Sequence, residues 1–326
     1  VDPGTVDRSG CPEDAELARA TVPGLDEGIK MKTLEGAGAA FASAPRTRLG
    51  RALMPLVALA VLLGLMGTPA HAITGGQPDG DRHPYVALLL APGLTFCSGA
   101  LVSERTILTA GHCTDGWDSL EVEQILVSFD PQAEVDEDWL PVDASDWYTA
   151  SEWLTHPDYV DAEWPFTYDY GLLYLDEPVT GIAPADLPQA GQLQPIIDSN
   201  GQVSQRFTDV GYGIQGAVVG DGPPRRAITW ERKMAVQRYA PGNGSTSGLF
   251  HETWFIVNNV PSPIHGGACG GDSGSPVLWG ATDTIVAVHT GGYSMGRDGV
   301  LCGRKTSLNH RIDQPIVLDW IIENTR

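Results

Sequence analysis

Ser273 sits in the run Cys269-Gly270-Gly271-Asp272-Ser273-Gly274-Ser275-Pro276, after an acid and between glycines. Glycines let a backbone take strained turns and approach a substrate closely. Such a turn can hold a hydroxyl outward while neighbouring N–H groups converge on one point. That is the geometry a nucleophile and an oxyanion site require. A hydroxyl attacks poorly while it keeps its proton, so a base is needed. His112 is the candidate, in Thr109-Ala110-Gly111-His112-Cys113. It would take the proton during attack on an acyl carbon and return it to the leaving group. Asp169, in Tyr168-Asp169-Tyr170-Gly171-Leu172-Leu173, lies between the two in the chain. A buried acid there would fix the imidazole tautomer and stabilise its charged form.

The elements that must position these residues are short. Tyr85–Leu90, Ala100–Ser103, Ile107–Thr109, Ile125–Phe129, Leu172–Leu175, Val277–Trp279 and Ile285–Val288 read as strands, broken by Gly, Pro, Asp and Asn. Long amphipathic helices are missing until Pro315, which opens Ile316-Val317-Leu318-Asp319-Trp320-Ile321-Ile322 with helical spacing. The pattern predicts an all-β protein of barrels or sandwiches with one C-terminal helix. A Pro- and Gly-rich stretch over 181–194 is the expected boundary between two lobes, 73–190 and 191–326.

The first 72 residues differ. The first methionine is Met31, so residues 1–30 are read as an upstream extension outside the translated protein. Arg46, Arg48 and Arg51 precede an apolar run from Leu53 to Met66, which ends in Thr68-Pro69-Ala70-His71-Ala72. A basic segment, a short apolar core and an A-x-A site describe a secretory signal peptide. The run is too short to span a bilayer comfortably, so no stable membrane insertion is expected once it is removed. The rival is an N-terminal anchor. Of five cysteines, Cys11 lies in this presegment. Cys97, Cys113, Cys269 and Cys302 remain, an even set in an exported chain. Four cysteines allow three connectivities. Local pairing, Cys97–Cys113 and Cys269–Cys302, would close loops worth roughly 3 and 4 kcal/mol. No C-x-x-C spacing supports a zinc site. The net charge of −21 argues against nucleic acid as a partner. The acidic stretch 130–146 reads as a solvated loop, with a calcium site as the sharper alternative.

Taken together, the three motifs resemble those of the chymotrypsin/trypsin-like serine proteases, in their bacterial secreted form. His156-Pro157-Asp158-Tyr159 stands the usual short distance before the aspartate motif. Gly211-Tyr212-Gly213 stands where that family often has Gly-Trp-Gly, and Ser275 where it commonly has glycine. Ile73-Thr74-Gly75-Gly76 resembles the family's activated N-terminus. The resemblance spans residues 73 to 326. It implies two antiparallel six-stranded Greek-key β-barrels and a terminal helix. It also implies a secreted, monomeric endopeptidase acting on proteins or peptides without a cofactor, through His112, Asp169 and Ser273. The N–H groups of Gly271 and Ser273 would form the oxyanion hole. The freed amine of Ile73 would pair with Asp272; signal cleavage after Ala72 would expose it directly.

The resemblance places Gly267, Ala268, His289, Thr290 and Gly292 around the pocket for the substrate side chain. Trypsin-like enzymes carry aspartate where Gly267 stands, so cleavage after Lys or Arg is not expected. Glutamyl endopeptidases carry histidine where His289 falls, which favours Glu or Asp. The absence of a hydroxyl at Ala268 argues for an apolar or small side chain instead. Two other functions compete. A serine esterase of the α/β-hydrolase type would need the order serine, acid, histidine and alternating helices. A catalytically impaired protease-fold binding protein is the other.

Overall fold

The computed structural model describes residues 76–160, 168–218, 225–241, 253–258, 267–293 and 306–326. The presegment, Ile73, Cys302, His251 and His265 lie outside these residues.

The strands are β1 (Gln77–Pro78), β2 (Val86–Ala91), β3 (Thr95–Leu101), β4 (Thr106–Thr109), β5 (Ile125–Ser128), β6 (Tyr148–Ala150), β7 (Glu152–Thr155) and β8 (Gly171–Tyr174). They continue as β9 (Arg206–Gly211), β10 (Gln215–Val218), β11 (Arg225–Ala227), β12 (Lys233–Arg238), β13 (Trp254–Asn258), β14 (Pro276–Trp279), β15 (Ile285–Tyr293) and β16 (Thr306–Arg311). Three helices accompany them: α1 (Gly111–Ser119), α2 (Gln194–Asp198) and α3 (Pro315–Asn324).

One antiparallel sheet runs β6-β5-β2-β3-β4-β8-β7. Its end strands β6 and β7 are consecutive in the chain, separated only by Ser151. They are two halves of one bent strand, so the sheet closes on itself as a six-stranded barrel. The second sheet runs β1-β12-β9-β14-β15-β16-β13. A bridge between Tyr239 and Val257 links the end of β12 to β13 and closes this sheet too. Here β1 is a short addition from the N-terminal segment, paired with Lys233 and Met234. Both barrels have the same cyclic order, first-second-third-sixth-fifth-fourth. The fourth strand returns beside the first, which is the Greek-key connection. Between β8 and β9 the described chain contributes α2 and a single bridge, Asp186 to Thr284.

The apolar strands read from sequence are present. β2 is buried at every position, and Leu88, Leu89 and Leu90 are fully enclosed. The strands hidden from hydropathy are β9, β12 and β16. They bury Asp209, Gln237, Ser307, Asn309 and His310. Each of these residues makes at least one side-chain hydrogen bond inside the barrel, although Gln237 Oε1 has no partner among the described residues. Burial of this kind is tolerated because the bonds are kept. Helix α1 is too short and too polar to show a helical stripe.

A buried ion pair fastens β1 to the rest. The Arg232 guanidinium, only 1% exposed, donates to the Asp79 carboxylate at 2.9 Å and to the carbonyls of Val86, Phe129 and Gly80. Asp79 also takes the backbone N–H and ring Nδ1 of His83. Removing one partner of such a pair strands the other charge. Asp79→Ala should therefore destabilise the protein by about 3–5 kcal/mol in urea denaturation. A loss under 1 kcal/mol would show that Arg232 finds water instead.

Candidate active site

β4 ends at Thr109, and the chain turns at Ala110 directly into α1. This places His112 in the first turn of the helix. β8 begins at Gly171, antiparallel to β4 and opposite Thr109. Asp169 is therefore delivered to the same end of the barrel. Its carboxylate grips His112 twice: Oδ1 accepts the backbone N–H at 2.6 Å, and Oδ2 lies 2.9 Å from ring Nδ1. Asp169 is fully buried, while the His112 side chain keeps about a fifth of its surface exposed (22%). Burial alone would raise the Asp169 pKa. The His112 charge and hydrogen bonds, with a contribution from His310, outweigh it and hold the carboxyl at about 2. An ionised acid behind Nδ1 leaves Nε2 as the basic nitrogen. Tyr168, just before the acid, has φ +50°, a left-handed conformation costly for a tyrosine.

Ser273 comes from the other barrel, in the turn before β14. Its carbonyl accepts the N–H of Ser98 at 2.8 Å, and the Gly274 N–H bonds to the His289 carbonyl at 2.8 Å. Gly274 has φ +82°, and a Cβ there would lie 2.0 Å from Thr109 Oγ1 and 2.9 Å from the Ala110 nitrogen. The residue after the serine thus packs against the strand end that leads into His112. Only glycine fits that position. The disulfide Cys97–Cys113 ties β3 to α1 across the same junction, as the local pairing anticipated. Cys269 is also disulfide-bonded; Cys302 lies outside the described residues.

Gly271, the other expected oxyanion donor, has φ +93°, and a Cβ on it would collide with the Phe96 ring. Its carbonyl accepts the Ser98 hydroxyl at 3.0 Å, and Ser98 Oγ in turn accepts the Tyr212 N–H at 3.1 Å. Ser98 is a strut that sequence reasoning missed. Its signal was the Cys97-Ser98-Gly99 run beside a paired cysteine.

Asp272 is fully buried and points away from solvent. Its two oxygens accept the N–H groups of Gly213 at 2.7 Å and Cys269 at 2.8 Å. A Cβ at Gly211 or Gly213 would come within 2.3 or 2.2 Å of this carboxyl, which explains the paired glycines around Tyr212. Among the described residues no cation faces it. Burial, then the neighbouring Asp209 charge, push its pKa up to about 8. Asp209 is itself raised to about 6, chiefly by burial, although the Ser275 hydroxyl donates to it at 2.9 Å. Both acids hold protons in the folded chain at pH values where the unfolded chain has released them. Between about pH 4 and 6.5 the buried His289, with its pKa lowered to about 4, opposes them, so stability of the 326-residue chain should fall most clearly as pH rises from about 6.5 through about 8. Urea midpoints across that range test this, and a midpoint rising with pH would contradict it.

Gly267 and Ala268 are buried before the serine turn, and Thr290 and Gly292 follow His289 along β15. Thr290 Oγ1 lies 2.7 Å from His310 Nδ1. The His310 ring meets Tyr170 edge-on at 5.5 Å. This histidine stands near Asp169 and helps hold its pKa down. His289 is 2% exposed. Its Nδ1 lies 2.8 Å from Ser307 Oγ and 3.1 Å from Asn309 Oδ1. Burial, only partly offset by the Asn309 hydrogen bond, lowers its pKa to about 4, so it is neutral at working pH. Neither Ser307 nor Asn309 stood out in the sequence.

The acids of 130–146 mostly organise turns. Asp136 Oδ1 accepts the N–H groups of Asp138 and Leu140, and Asp130 Oδ1 that of Gln132. Among the described residues no group of three His, Cys, Asp or Glu side chains is placed to hold a metal ion. Nor is any described helix long and apolar enough to cross a membrane.

Known proteins give the same picture. A collagenase structure (HL collagenase) superposes with a TM-score of 0.55 at 17% identity, over 76% of this chain and 96% of the collagenase. That likeness concerns the fold. A trypsin from Saccharopolyspora erythraea is 26% identical over 241 residues, 70% of this chain and 89% of that protein. Mouse vitamin K-dependent protein C is 30% identical over 216 residues, 61% of this chain, and the match spans only 41% of the mouse protein. The trypsin family profile matches residues 73–310, well over half of the sequence, and the chain belongs to that family.

Proposed function

We propose that this protein is a secreted serine endopeptidase in which Ser273 attacks the peptide carbonyl. His112 carries the proton and Asp169 orients His112. The carrying observation is the double grip of Asp169 on His112, with the ring tautomer fixed by a wholly buried carboxylate. Attack forms the Ser273–acyl bond and breaks the peptide C–N bond, the proton passing through His112 to the leaving amine. Water then repeats the sequence to release the acid. The Gly271 and Ser273 N–H groups stabilise the oxyanion at each stage, and each such donor is worth about 10²–10³ in rate. A disulfide at Cys97–Cys113 suits an exported chain.

Activation follows from Asp272. A fully buried carboxylate with two N–H partners and no described cation is a site waiting for an ammonium. Signal cleavage after Ala72 supplies it at Ile73. Residues left upstream of Ile73 withhold the charge. At about 3–5 kcal/mol for losing one partner of a buried ion pair, activity should drop about 10²–10⁴-fold. N-terminal sequencing of secreted, fully active enzyme tests this, and a start upstream of Ile73 would refute it. Hydrolysis of a protein substrate tests the endopeptidase activity itself. Cleavage of small esters alone would favour the esterase, and no turnover of either the binding protein.

A further inference from the structure

Gly271 is backed by an aromatic clamp that draws on both barrels. Its backbone lies against the ring of Phe96 in β3, with which a Cβ would collide. Two tryptophans meet that ring edge-on, Trp139 at 5.5 Å between centroids and Trp230 at 5.0 Å. They also meet each other edge-on at 5.8 Å. Edge-to-face contact is a favoured arrangement of aromatic rings, so each ring helps fix the tilt of the other two. Trp139 belongs to the acidic stretch 130–146, and Trp230 to the segment before β12. The two segments are laced by backbone. The Ala133 N–H donates to the Trp230 carbonyl at 2.9 Å, and the Arg232 N–H to the Pro131 carbonyl at 2.8 Å.

Both tryptophans stand in the left-handed region, φ +61° at Trp139 and +54° at Trp230. That backbone is costly for a bulky side chain and persists only where the surroundings impose it. Around Trp139 the means are visible. The Asp136 carboxylate accepts the N–H groups of Asp138 and Leu140 on either side, and the Trp139 N–H donates to the Asp136 carbonyl at 3.2 Å. The turn seats the indole on Phe96 while Asp138 and Leu140 stay exposed. A loop that needed only to bury an indole could do so without this cost.

Glycine at 271 allows φ +93° but does not enforce it, because glycine enters many other conformations as readily. The peptide planes on either side of its Cα are each fixed at one end. The Gly270 carbonyl accepts the Ile214 N–H at 2.7 Å, which aims the Gly271 N–H the opposite way, since the peptide is planar and trans. The Gly271 carbonyl accepts the Ser98 hydroxyl at 3.0 Å. The Phe96 ring fills the space into which the Cα between them would otherwise move. We propose that Trp139 is a positioning residue for the oxyanion hole, acting through Phe96 to hold the Gly271 N–H in the orientation that receives the oxyanion. This inference rests on the endopeptidase reading. A donor misplaced by about 1 Å can cost about 10²-fold in rate.

The test uses the protein beginning at Ile73 and a peptide that the unaltered protein cleaves. Trp139→Ala should lower kcat by about 10–10²-fold and leave KM within about twofold, the pattern of a contact made in the transition state. Trp139→Phe, which can still meet Phe96 edge-on, should recover most of that loss. Trp139→Leu keeps apolar bulk in the turn, which guards against an alanine variant that fails to fold, and should lose about tenfold. The infrared carbonyl stretch of the acyl-enzyme on Ser273 gives a readout that stability alone does not move. Weaker hydrogen bonding in the oxyanion hole should raise its frequency in the Ala and Leu variants. A folded Ala or Leu variant with kcat and carbonyl stretch unchanged overturns the inference. So does a loss confined to KM, or a Phe variant as impaired as the Ala variant. Each of these defeats the inference alone. No hydrolysis by the unaltered protein defeats the endopeptidase reading and the inference with it.

Discussion

Ser273→Ala should abolish peptide hydrolysis, lowering kcat by about 10⁶, the scale on which removing the nucleophile costs as much as removing a whole triad. The fold should be untouched. The contacts that place the turn are made by backbone: the Ser273 carbonyl with the Ser98 N–H, and the Gly274 N–H with the His289 carbonyl. None uses the Ser273 hydroxyl. His112→Ala should cost about the same, and the double variant little more, because the two groups act in one step. Thermal unfolding of each variant beside its kcat provides the check. Independent, additive losses would mean that serine and histidine do not share a reaction coordinate.

The second large effect is expected at Asp169→Asn, about 10⁴-fold in kcat, as in the general triad template. The reason lies in the two bonds. The amide oxygen can still accept the His112 backbone N–H at the place of Oδ1. The amide nitrogen then faces ring Nδ1 and donates to it. That reverses the tautomer, puts the proton on Nε2 and leaves nothing to receive the Ser273 proton. Because the fold keeps its hydrogen bonds, the loss should appear in kcat with KM nearly unchanged. A tenfold effect or less, measured by steady-state kinetics near neutral pH, would show that Asp169 does not set the tautomer.

The sequence exposed the parts of this protein that chemistry or apolar burial makes distinctive. His112, Asp169 and Ser273 sit in short motifs whose glycines have steric reasons. Gly274 lies against Thr109, and Gly211 and Gly213 make room for Asp272. Strands such as β2 and β14 are apolar throughout and were legible from composition. β9, β12 and β16 were not, because their interior side chains include Asp209, Gln237, Asn309 and His310. Hydropathy scores such residues as surface, and only the cross-strand hydrogen bonds in three dimensions show what holds them inside. The same blindness hid the Asn309–Ser307 pair behind His289 and the Ser98 strut beneath Gly271. Their roles depend on hydrogen bonds between residues far apart in sequence. The bent strand at Ser151 also has no local signature. It is set by which neighbours, β5 and β8, each half pairs with.

Ser275 illustrates a local departure with a structural cause. It replaces the glycine that the family commonly carries, and its hydroxyl serves the buried Asp209 carboxyl. The two residues form a hydrogen-bonded unit beside Asp272, so the change at one position is matched by a polar partner at the other.

Mass spectrometry of the protein beginning at Ile73, after reaction with a fluorophosphonate, tests the central claim most directly. The account predicts a single adduct on Ser273, formed rapidly and lost when His112 is replaced by alanine. An unmodified Ser273 in folded protein, or an adduct that forms equally fast without the His112 imidazole, would contradict it.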